Sequence, residues 1–329
     1  MDLAHLDAGA VEGLAATIAA ADAVVPVGSR THWEVGNPSA NGVEVSAPAG
    51  VVRYEPEDLT ITVGAGTTFA TLDAAVAEYG QECALDPRDP QASVGGIVAC
   101  GLSGPRRLRQ GPVRDHLLEV RFVTADGRLV KGGGQTVKNV TGYDLPRLLV
   151  GSFGTLGVLV QVTLRCRPRP QCSRWFRADE TPDLYRAASL LRSATTTFVL
   201  LEGAAADVDA QSSGLSEAEP PPLPAGAHRG RISVAPGALT AVGQALDVAG
   251  GIRWCAELGV GTVHVAADDP DALAAARAVA HEHDGWMLRE AGGTGLDGFG
   301  CELPNAPLMR RLRDAFDPTR KLAPGRMPL

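Results

Sequence analysis

Three short segments of the N-terminal half combine glycine with a serine or threonine hydroxyl where predicted strands end. They are residues 26–31, 93–96 and 151–157. Backbone N–H groups at such turns donate to phosphate oxygens, and a missing side chain lets a ligand approach closely. A single turn of this kind is more often an ordinary tight turn than a binding site. Three of them in one predicted domain favour a cofactor that carries a diphosphate.

Other nucleotide-binding patterns are absent or stand in the wrong context. The one Gly-x-Gly-x-x-Gly pattern, residues 293–298, follows a predicted strand but leads into Phe299-Gly300-Cys301-Glu302-Leu303-Pro304, which does not begin a helix. We therefore interpret it as a loop. The sequence has no Gly-x-x-x-x-Gly-Lys-Ser/Thr loop either, so neither a nicotinamide site nor an ATP site is predicted.

Length and composition limit the class of protein. The 329 residues suit about two domains, and 45% hydrophobic with 21% charged residues is typical of a folded chain. The formal charge of -8 repels phosphate backbones, which argues against a nucleic-acid partner. There is no run of about 18 apolar residues and no basic leader in residues 1–5, so we expect a cytoplasmic chain without a membrane span.

The sequence shows no pattern of metal ligands. None of the six cysteines forms a Cys-x-x-Cys pair, which argues against an iron–sulfur cluster or a structural zinc within the chain. His281 and His283 stand two residues apart, and such side chains point to different faces of a helix. We therefore predict no metal site.

The N-terminal half has the pattern of strands separated by turns, with a few helices. Thr67 or Thr68 is a suitable N-cap for a helix that stops at Gly80, and Pro168 ends a long strand. Residues 93–99 are interpreted as a turn that opens into a segment of small residues. The predicted helices are residues 9–20, 68–79 and 145–150, and the predicted strands are residues 23–27, 51–54, 59–63, 116–124 and 155–167.

The C-terminal half mixes strands and helices, which indicates an α+β unit. Its Pro-rich segment 203–229 predicts a surface loop or linker. The domains we expect are residues 1–170, residues 171–315 and a tail, 316–329. The predicted strands are residues 197–201, 231–234, 252–255, 261–266 and 285–289, and the predicted helices are residues 181–192, 238–249, 270–281 and 306–316.

Residues 24–168 resemble the FAD-binding domain of the vanillyl-alcohol oxidase, or p-cresol methylhydroxylase (PCMH), type. More narrowly, they resemble the FAD-binding subunit of bacterial glycolate oxidase. The most specific matches are Leu-Ser-Gly-Pro-Arg-Arg at 102–107 and Lys-Asn-Val-x-Gly-Tyr-Asp at 138–144. The others are residues 26–31, 93–96, 114–115 and 151–158, and the second half matches loosely.

The resemblance implies a fold, a cofactor and partners. The implied fold is α+β, with a two-part PCMH-type FAD-binding domain, a smaller α+β sheet-and-helix domain, and a tail that returns to the FAD domain. The implied function is an FAD-binding electron-transfer subunit of a glycolate oxidase-like 2-hydroxy acid dehydrogenase complex. The implied partners are a larger catalytic flavoprotein subunit and an iron–sulfur subunit, through which the chain would dock at the inner membrane face.

The resemblance also implies which residues hold FAD, while it assigns no catalytic residue. The pyrophosphate would meet the backbone amides of Val27, Gly28, Ser29, Arg30 and Thr31. The diphosphate and flavin side would meet Ser93, Gly95 and Gly96. The ribityl chain and ring would meet Ser103, Gly104 and Gly111. The adenine or flavin edge would meet Gly154, Thr155, Gly157 and Val158.

Two departures from the family pattern keep other hypotheses open. Ser29 and Arg30 stand where relatives carry glycine, and Ala323 stands where relatives often carry asparagine before Pro-Gly. They favour a scaffold subunit that has lost FAD, and the other alternative is a self-sufficient FAD-dependent 2-hydroxy acid oxidoreductase.

Four further features each have a functional and an ordinary interpretation. His32 stands where some members of the superfamily attach flavin covalently, although most loop histidines are polar surface groups. Lys138 would contact a flavin carbonyl or a carboxylate, or is a solvated lysine. Arg106 and Arg107 would bind a partner, or face solvent. Strand residues Arg231, Arg253, Arg289 and His264 would bind and deprotonate a 2-hydroxy acid, or are solvated or paired side chains.

Overall fold

The computed structural model describes residues 8–134, 143–293 and 295–329. Lys138 and most of the motif around it lie outside the described residues, as does Thr294 of the Gly-x-Gly-x-x-Gly pattern. Strands in the described part of the chain form a five-stranded sheet, an eight-stranded sheet and two small two-stranded sheets. Helices are interspersed with them, so the predicted α+β fold class is confirmed.

The five-stranded antiparallel sheet lies in the N-terminal half and has the order β3-β4-β8-β6-β7. Its strands are β3 (Val51–Glu55), β4 (Thr60–Gly64), β6 (Leu117–Val123), β7 (Leu129–Gly133) and β8 (Val158–Arg165). The helices that accompany it are α2 (Phe69–Ala77), α3 (Val94–Cys100), α4 (Arg107–Gln110) and α5 (Leu145–Leu149). Ile61, Leu72, Ile97 and Phe122 meet in one buried core between sheet and helices. Burial of such side chains is the main source of stability of this half.

A smaller layer joins the N-terminus to the C-terminal tail. Helix α1 (Ala8–Ala20) packs beside a parallel pair of strands, β1 (Val24–Pro26) and β2 (Val43–Val45). A separate antiparallel pair in this half joins β5 (Gln81–Glu82) to β9 (Arg167–Pro168). The backbone N–H of Val24 donates to the Lys321 carbonyl at 2.8 Å, and Ala323 N–H donates back to the Val24 carbonyl at 2.8 Å. The buried Lys321 ammonium donates to the carbonyl of Ile18 at 2.7 Å, at the carboxyl end of α1. The tail is therefore part of this half of the fold.

The eight-stranded antiparallel sheet is built from the rest of the chain. Its order is β13-β10-β12-β11-β15-β16-β14-β17. The strands are β10 (Cys172–Ala178), β11 (Ser189–Arg192), β12 (Thr197–Gly203), β13 (Ser216–Ala218), β14 (His228–Ser233), β15 (Ile252–Glu257), β16 (Thr262–Ala267) and β17 (Trp286–Ala291). The helices are α6 (Ala205–Gln211), α7 (Leu239–Ala249), α8 (Pro270–Glu282) and α9 (Ala306–Phe316). Helices α7 and α8 cover one face of the sheet with an apolar core.

Charged side chains of the other face meet the N-terminal half. Arg106, in the loop before α4, donates to Asp86 at 2.6 Å, to Glu82 at 2.8 Å and to Glu202 of β12 at 3.1 Å. Both interpretations of Arg106 from the sequence are wrong, because its side chain is only 17% exposed and bonds carboxylates of both halves. It therefore joins the two halves of the chain.

Three local predictions differ from the structure. The predicted helix 181–192 is wrong, since Ser189–Arg192 pairs with β12 and β15 as a strand. The predicted loop 203–229 contains α6 and β13. Residues 94–100 form helix α3, whose glycines disfavour a helix locally, but the Ser93 hydroxyl caps it and Val94, Ile97 and Val98 are buried. In each case sheet pairing or burial outweighs local propensity.

No helix in the described ranges is long and apolar enough to cross a membrane.

Replacing Arg106 by alanine tests the junction between the halves. Arg106→Ala leaves buried carboxylates without their cation, so we expect the free energy of unfolding to fall by about 3–5 kcal/mol. The control is Arg128→Ala, which removes an ion pair with Asp126. The Arg128 side chain is 75% exposed, so we expect the free energy of unfolding to change by less than about 1 kcal/mol. Urea denaturation measures both, and equal losses in the two variants would contradict the role of Arg106.

The pH dependence of stability offers a second measurement of the same junction. Burial acts to raise the pKa of the Glu82 carboxyl, but the hydrogen bonds and charges of Arg106 and Arg167 hold it below its ordinary value of 4.5. The lowered folded-state pKa stabilises the fold above pH 4.5. That stabilisation is lost as the pH falls through the folded-state pKa. We expect the acid dependence of the unfolding free energy to be shallower in Arg106→Ala, and an unchanged profile would contradict this.

Candidate functional site

A cavity opens where the glycine turns of the N-terminal half converge. It has an empty volume of about 910 Å³, counting the space open to solvent. Eleven of the fifteen residues predicted to hold FAD line it. They are Val27, Gly28, Ser29, Arg30, Thr31, Ser93, Gly95, Gly96, Gly154, Gly157 and Val158.

The turn at residues 26–31 rests directly on the first turn of helix α3. The Ser93 N–H donates to the Ser29 hydroxyl at 2.9 Å, and the Gly96 N–H donates to the Ser93 hydroxyl at 3.2 Å. A Cβ on Gly28 would lie 2.0 Å from the Ser93 hydroxyl oxygen, which real side chains do not allow. A Cβ on Gly95 would lie 2.9 Å from the Ala65 carbonyl oxygen. These contacts bring bare backbone to the cavity wall, as a closely approaching diphosphate requires.

Arg30 has the backbone conformation that glycine adopts most easily. Its φ is +61°, in the left-handed region, so the non-glycine residue expected to disturb this turn still takes up the turn geometry. The guanidinium is paired with Glu44 at 2.5 Å and lies 4.5 Å from the centre of the Trp33 ring. This departure from the family pattern therefore leaves the cavity open, and Glu44 balances the charge that Arg30 brings.

Arg326 of the C-terminal tail holds the loop that follows the first glycine turn. Its guanidinium donates to the carbonyl oxygens of Trp33 and Asn37, both at 2.8 Å, and of His32 at 3.0 Å. Burial lowers the pKa of Arg326, but an arginine stays charged at neutral pH. The three acceptors are neutral, so they do not cancel the charge. None of the described residues that line the cavity is acidic, which suits an anionic ligand.

His32 lines the cavity beside these groups. Its Nδ1 lies 3.2 Å from the Thr31 hydroxyl oxygen, and burial lowers the pKa of the imidazole, which is therefore neutral at pH 7. A neutral imidazole can both donate and accept a hydrogen bond. Covalent attachment of flavin at His32 stays a prediction.

Four predicted residues lie outside the lining of the cavity. The Ser103 hydroxyl accepts from Val113 N–H at 3.1 Å, and the Thr155 hydroxyl donates to the Ser152 carbonyl at 2.7 Å. A Cβ on Gly104 would lie 2.2 Å from the Asp86 carbonyl oxygen, and Gly111 has a φ of +81°. Structural contacts explain these residue types, and their cofactor role stays a prediction.

The sequence analysis missed several lining residues, because their types carry no chemical signal. Examples are Ala65, Gly66, Ala99, Cys100 and Phe153, which are small or apolar and reach the cavity through packing. The tail gave a weak signal through the Pro-Gly that follows Ala323.

The N-terminal part of the chain matches known FAD-binding sequences. Residues 7–133 match the family described as FAD binding domain. Glycolate oxidase subunit GlcE of Escherichia coli (strain K12) is 41% identical over 155 residues, which cover 46% of this chain and 44% of that protein. A mitochondrial D-lactate dehydrogenase [cytochrome] of Arabidopsis thaliana is 36% identical over 153 residues, which cover 46% of this chain and 27% of that protein. The matches thus span less than half the length of these relatives.

A further relative and a solved structure complete the comparison. Glycolate oxidase subunit GlcD of Bacillus subtilis (strain 168) is 33% identical over 129 residues, covering 39% of this chain and 27% of that protein. The structure of an alkyldihydroxyacetonephosphate synthase matches with a TM-score of 0.67 at 12% identity, covering 95% of this chain and 74% of that chain. That level of identity shows the fold alone, and it does so over nearly the whole chain.

The cavity presents bare backbone of the kind that suits a dinucleotide cofactor. Residues 7–133 match the FAD-binding domain family, so the resemblance inferred from the sequence motifs is confirmed, and with it the cofactor, FAD.

Substitution of Gly28 tests whether the close contact of the first turn with α3 shapes the FAD site. In Gly28→Ala the new methyl group clashes with Ser93 and displaces the turn, so we expect the Kd for FAD to rise at least about tenfold. The matched control is Gly13→Ala in helix α1, where a Cβ meets nothing within 4 Å. Fluorescence titration of FAD measures both, and equal affinities would contradict the assignment.

Removal of the Arg326 guanidinium tests the role of the tail. Arg326→Met keeps much of the side-chain volume but loses three hydrogen bonds and a positive charge, so we expect FAD to bind at least about tenfold more weakly. Arg310→Met, on the exposed surface of α9, should bind FAD like the unmodified chain. If Arg326→Met also binds FAD normally, the tail does not support the site.

Proposed function

We propose that this chain is the FAD-binding electron-transfer subunit of a glycolate oxidase-like complex that oxidises 2-hydroxy acids. The observation that carries the proposal is the cavity of bare backbone and two arginines, most of whose lining residues lie within the region that matches FAD-binding domains. The names of the relatives support the reaction class, since they are glycolate oxidase subunits and D-lactate dehydrogenases.

Bound FAD would supply the redox chemistry by accepting and passing on electrons. Residues of this chain would bind and orient it. The amides of the first turn and the first turn of α3 would hold the diphosphate, and the charge of Arg326 would favour its negative charge. Phe153 and Cys100 would exclude water from the apolar side of the cavity.

The organisation of the chain and its partners belongs to the same proposal. Residues 1–170 and the tail 316–329 would form the FAD domain, and residues 171–315 would form the second domain. The hydrogen bonds of Val24 with Lys321 and Ala323 support the inclusion of the tail. A larger catalytic flavoprotein subunit would deliver electrons to this chain, and an iron–sulfur subunit would take them up.

A self-sufficient 2-hydroxy acid oxidoreductase is the second candidate, because relatives named D-lactate dehydrogenase also match part of this chain. A scaffold that has lost FAD is disfavoured, since Arg30 keeps the geometry of the first turn.

The absorbance spectrum of the purified chain tests the proposal. We expect a flavin spectrum, or its appearance after incubation with FAD, and no bleaching when glycolate or D-lactate is added without oxygen. Bleaching should follow once a catalytic subunit is present. A folded chain that takes up no FAD would contradict both oxidoreductase candidates, and bleaching of the isolated chain by either acid would favour the self-sufficient enzyme.

A further inference from the structure

The face of the eight-stranded sheet that looks toward the FAD domain carries charged side chains. Strand side chains alternate between faces, and Ile232, Val263 and Met287 point to the helix-covered side. Arg231 and His264, one residue away from the first two, therefore point to the other side. The guanidinium of Arg231 does reach the FAD domain, where Nη1 donates to the Ser103 carbonyl at 2.9 Å.

Glu290 of β17 is the centre of this charged face. Its side chain is 7% exposed, and each of its two oxygens meets a different arginine. Oε1 accepts from Arg231 Nε at 2.9 Å, and Oε2 accepts from Arg88 Nη1 at 3.4 Å. Arg231 comes from the sheet and Arg88 from the FAD domain, so the carboxylate is held between the two halves. Proteins commonly bind a carboxylate ligand in the same way, with guanidinium groups around it.

Three arginines surround Glu290: its partners Arg88 and Arg231, and the neighbouring Arg229. Burial lowers the pKa of Arg88, the charge of Glu290 raises it, and the charges of Arg229 and Arg231 lower it. The buried Nε of Arg229 has no hydrogen-bond partner among the described residues. The surroundings of Glu290 are therefore built to attract an anion, and the chain supplies that anion itself.

The same place lies beside the cofactor cavity. His32 and Cys100 both line the cavity, and the charge of Glu290 acts on the pKa of each. The apolar cluster next to it joins Phe153 of the cavity wall to Leu288, two residues before Glu290 on the same strand. An anion bound between Arg88 and Arg231 would therefore lie near a cofactor in the cavity.

The arginines suggested by the sequence as a carboxylate fork are engaged with acceptors of the chain itself. Arg231 is bonded to Glu290 and the Ser103 carbonyl, and Arg253 is bonded to Asp268 and the Ala225 carbonyl. Arg289 donates to the carbonyls of Gly36 and Gly292. These contacts would have to break before a substrate carboxylate could bind.

We propose that Glu290 is an internal carboxylate that fills a two-arginine anion site between the halves and keeps carboxylic acids away from the cofactor of this chain. Glu290 is then a specificity-determining residue. The inference rests on the proposed function, and it explains how an electron-transfer subunit avoids oxidising substrate itself. Neutralising Glu290 should open a site for a small carboxylate.

Isothermal titration with oxalate, an unreactive two-carbon dicarboxylate, tests this on the full chain, both with and without added FAD. We expect the unmodified chain to show no binding at millimolar oxalate. The Kd of Glu290→Gln for oxalate should be at least about tenfold lower than that of the unmodified chain. Asp268→Asn is the matched control, because this carboxylate also pairs with an arginine but is 76% exposed; it should bind no oxalate. The double variant Glu290→Gln/Arg231→Met should lose the binding gained.

Several outcomes would overturn the proposal. Oxalate binding to the unmodified chain as tight as to Glu290→Gln would show that Glu290 blocks nothing. A folded Glu290→Gln that binds no oxalate, or a double variant that still binds it, would show that the arginines form no site.

A second variant tests the proposal even where Glu290→Gln folds poorly. Glu290→Ala leaves the guanidiniums of Arg88 and Arg231 without their anion, and added acetate should raise its thermal midpoint by several degrees but not that of Asp268→Ala. An equal response of the two variants to acetate would contradict the proposal. Oxalate binding is measured as heat, and the effect of acetate is measured as a shift of the thermal midpoint. Neither measurement depends on FAD, so a chain that bound no FAD would contradict the proposed function while these comparisons could still be made.

Discussion

The contact between the first glycine turn and the N-terminal end of α3 is the constraint on which the FAD site depends. Gly28 approaches the Ser93 hydroxyl so closely that no side chain fits between them, and Ser93 N–H is in turn bonded to Ser29. Two segments 64 residues apart thus present their backbone to one space. A dinucleotide needs such a surface, because its diphosphate is bound best by fixed N–H groups and cations in a site shielded from water.

A second constraint is the burial of charge between the two halves. The charged face of the large sheet would be costly to bury against the FAD domain without partners, since an unpaired charge loses its hydration. Arg106 with Glu202 and Arg88 with Glu290 supply those partners across the junction, and Gly36 N–H donates to the Arg289 carbonyl at 2.9 Å. The last of these bonds ties the loop held by Arg326 to the edge strand of the sheet. The loop at the cofactor cavity and the charged junction are therefore connected through hydrogen bonds.

Local sequence signals predicted much of the fold and the turns of the site. Thr68 as the N-cap of α2 is set by neighbouring residues, so the sequence shows it. The long strand, however, ends at Arg165, and Pro168 pairs with Gln81 in β9. Strand β11 could not be predicted this way, because its pairing partners decide its conformation. Arg326 contacts the carbonyl of Trp33 across 293 residues, and no spacing rule connects the two. The same holds for Glu290, whose neighbours are known only once the halves are packed together.

An experimental structure of the chain with FAD tests the central claim most directly. The diphosphate oxygens should lie about 2.7–3.2 Å from backbone nitrogens of residues 28–31, with Arg326 beside the cavity. A structure in which FAD binds with its diphosphate away from both the first turn and helix α3 would contradict the claim.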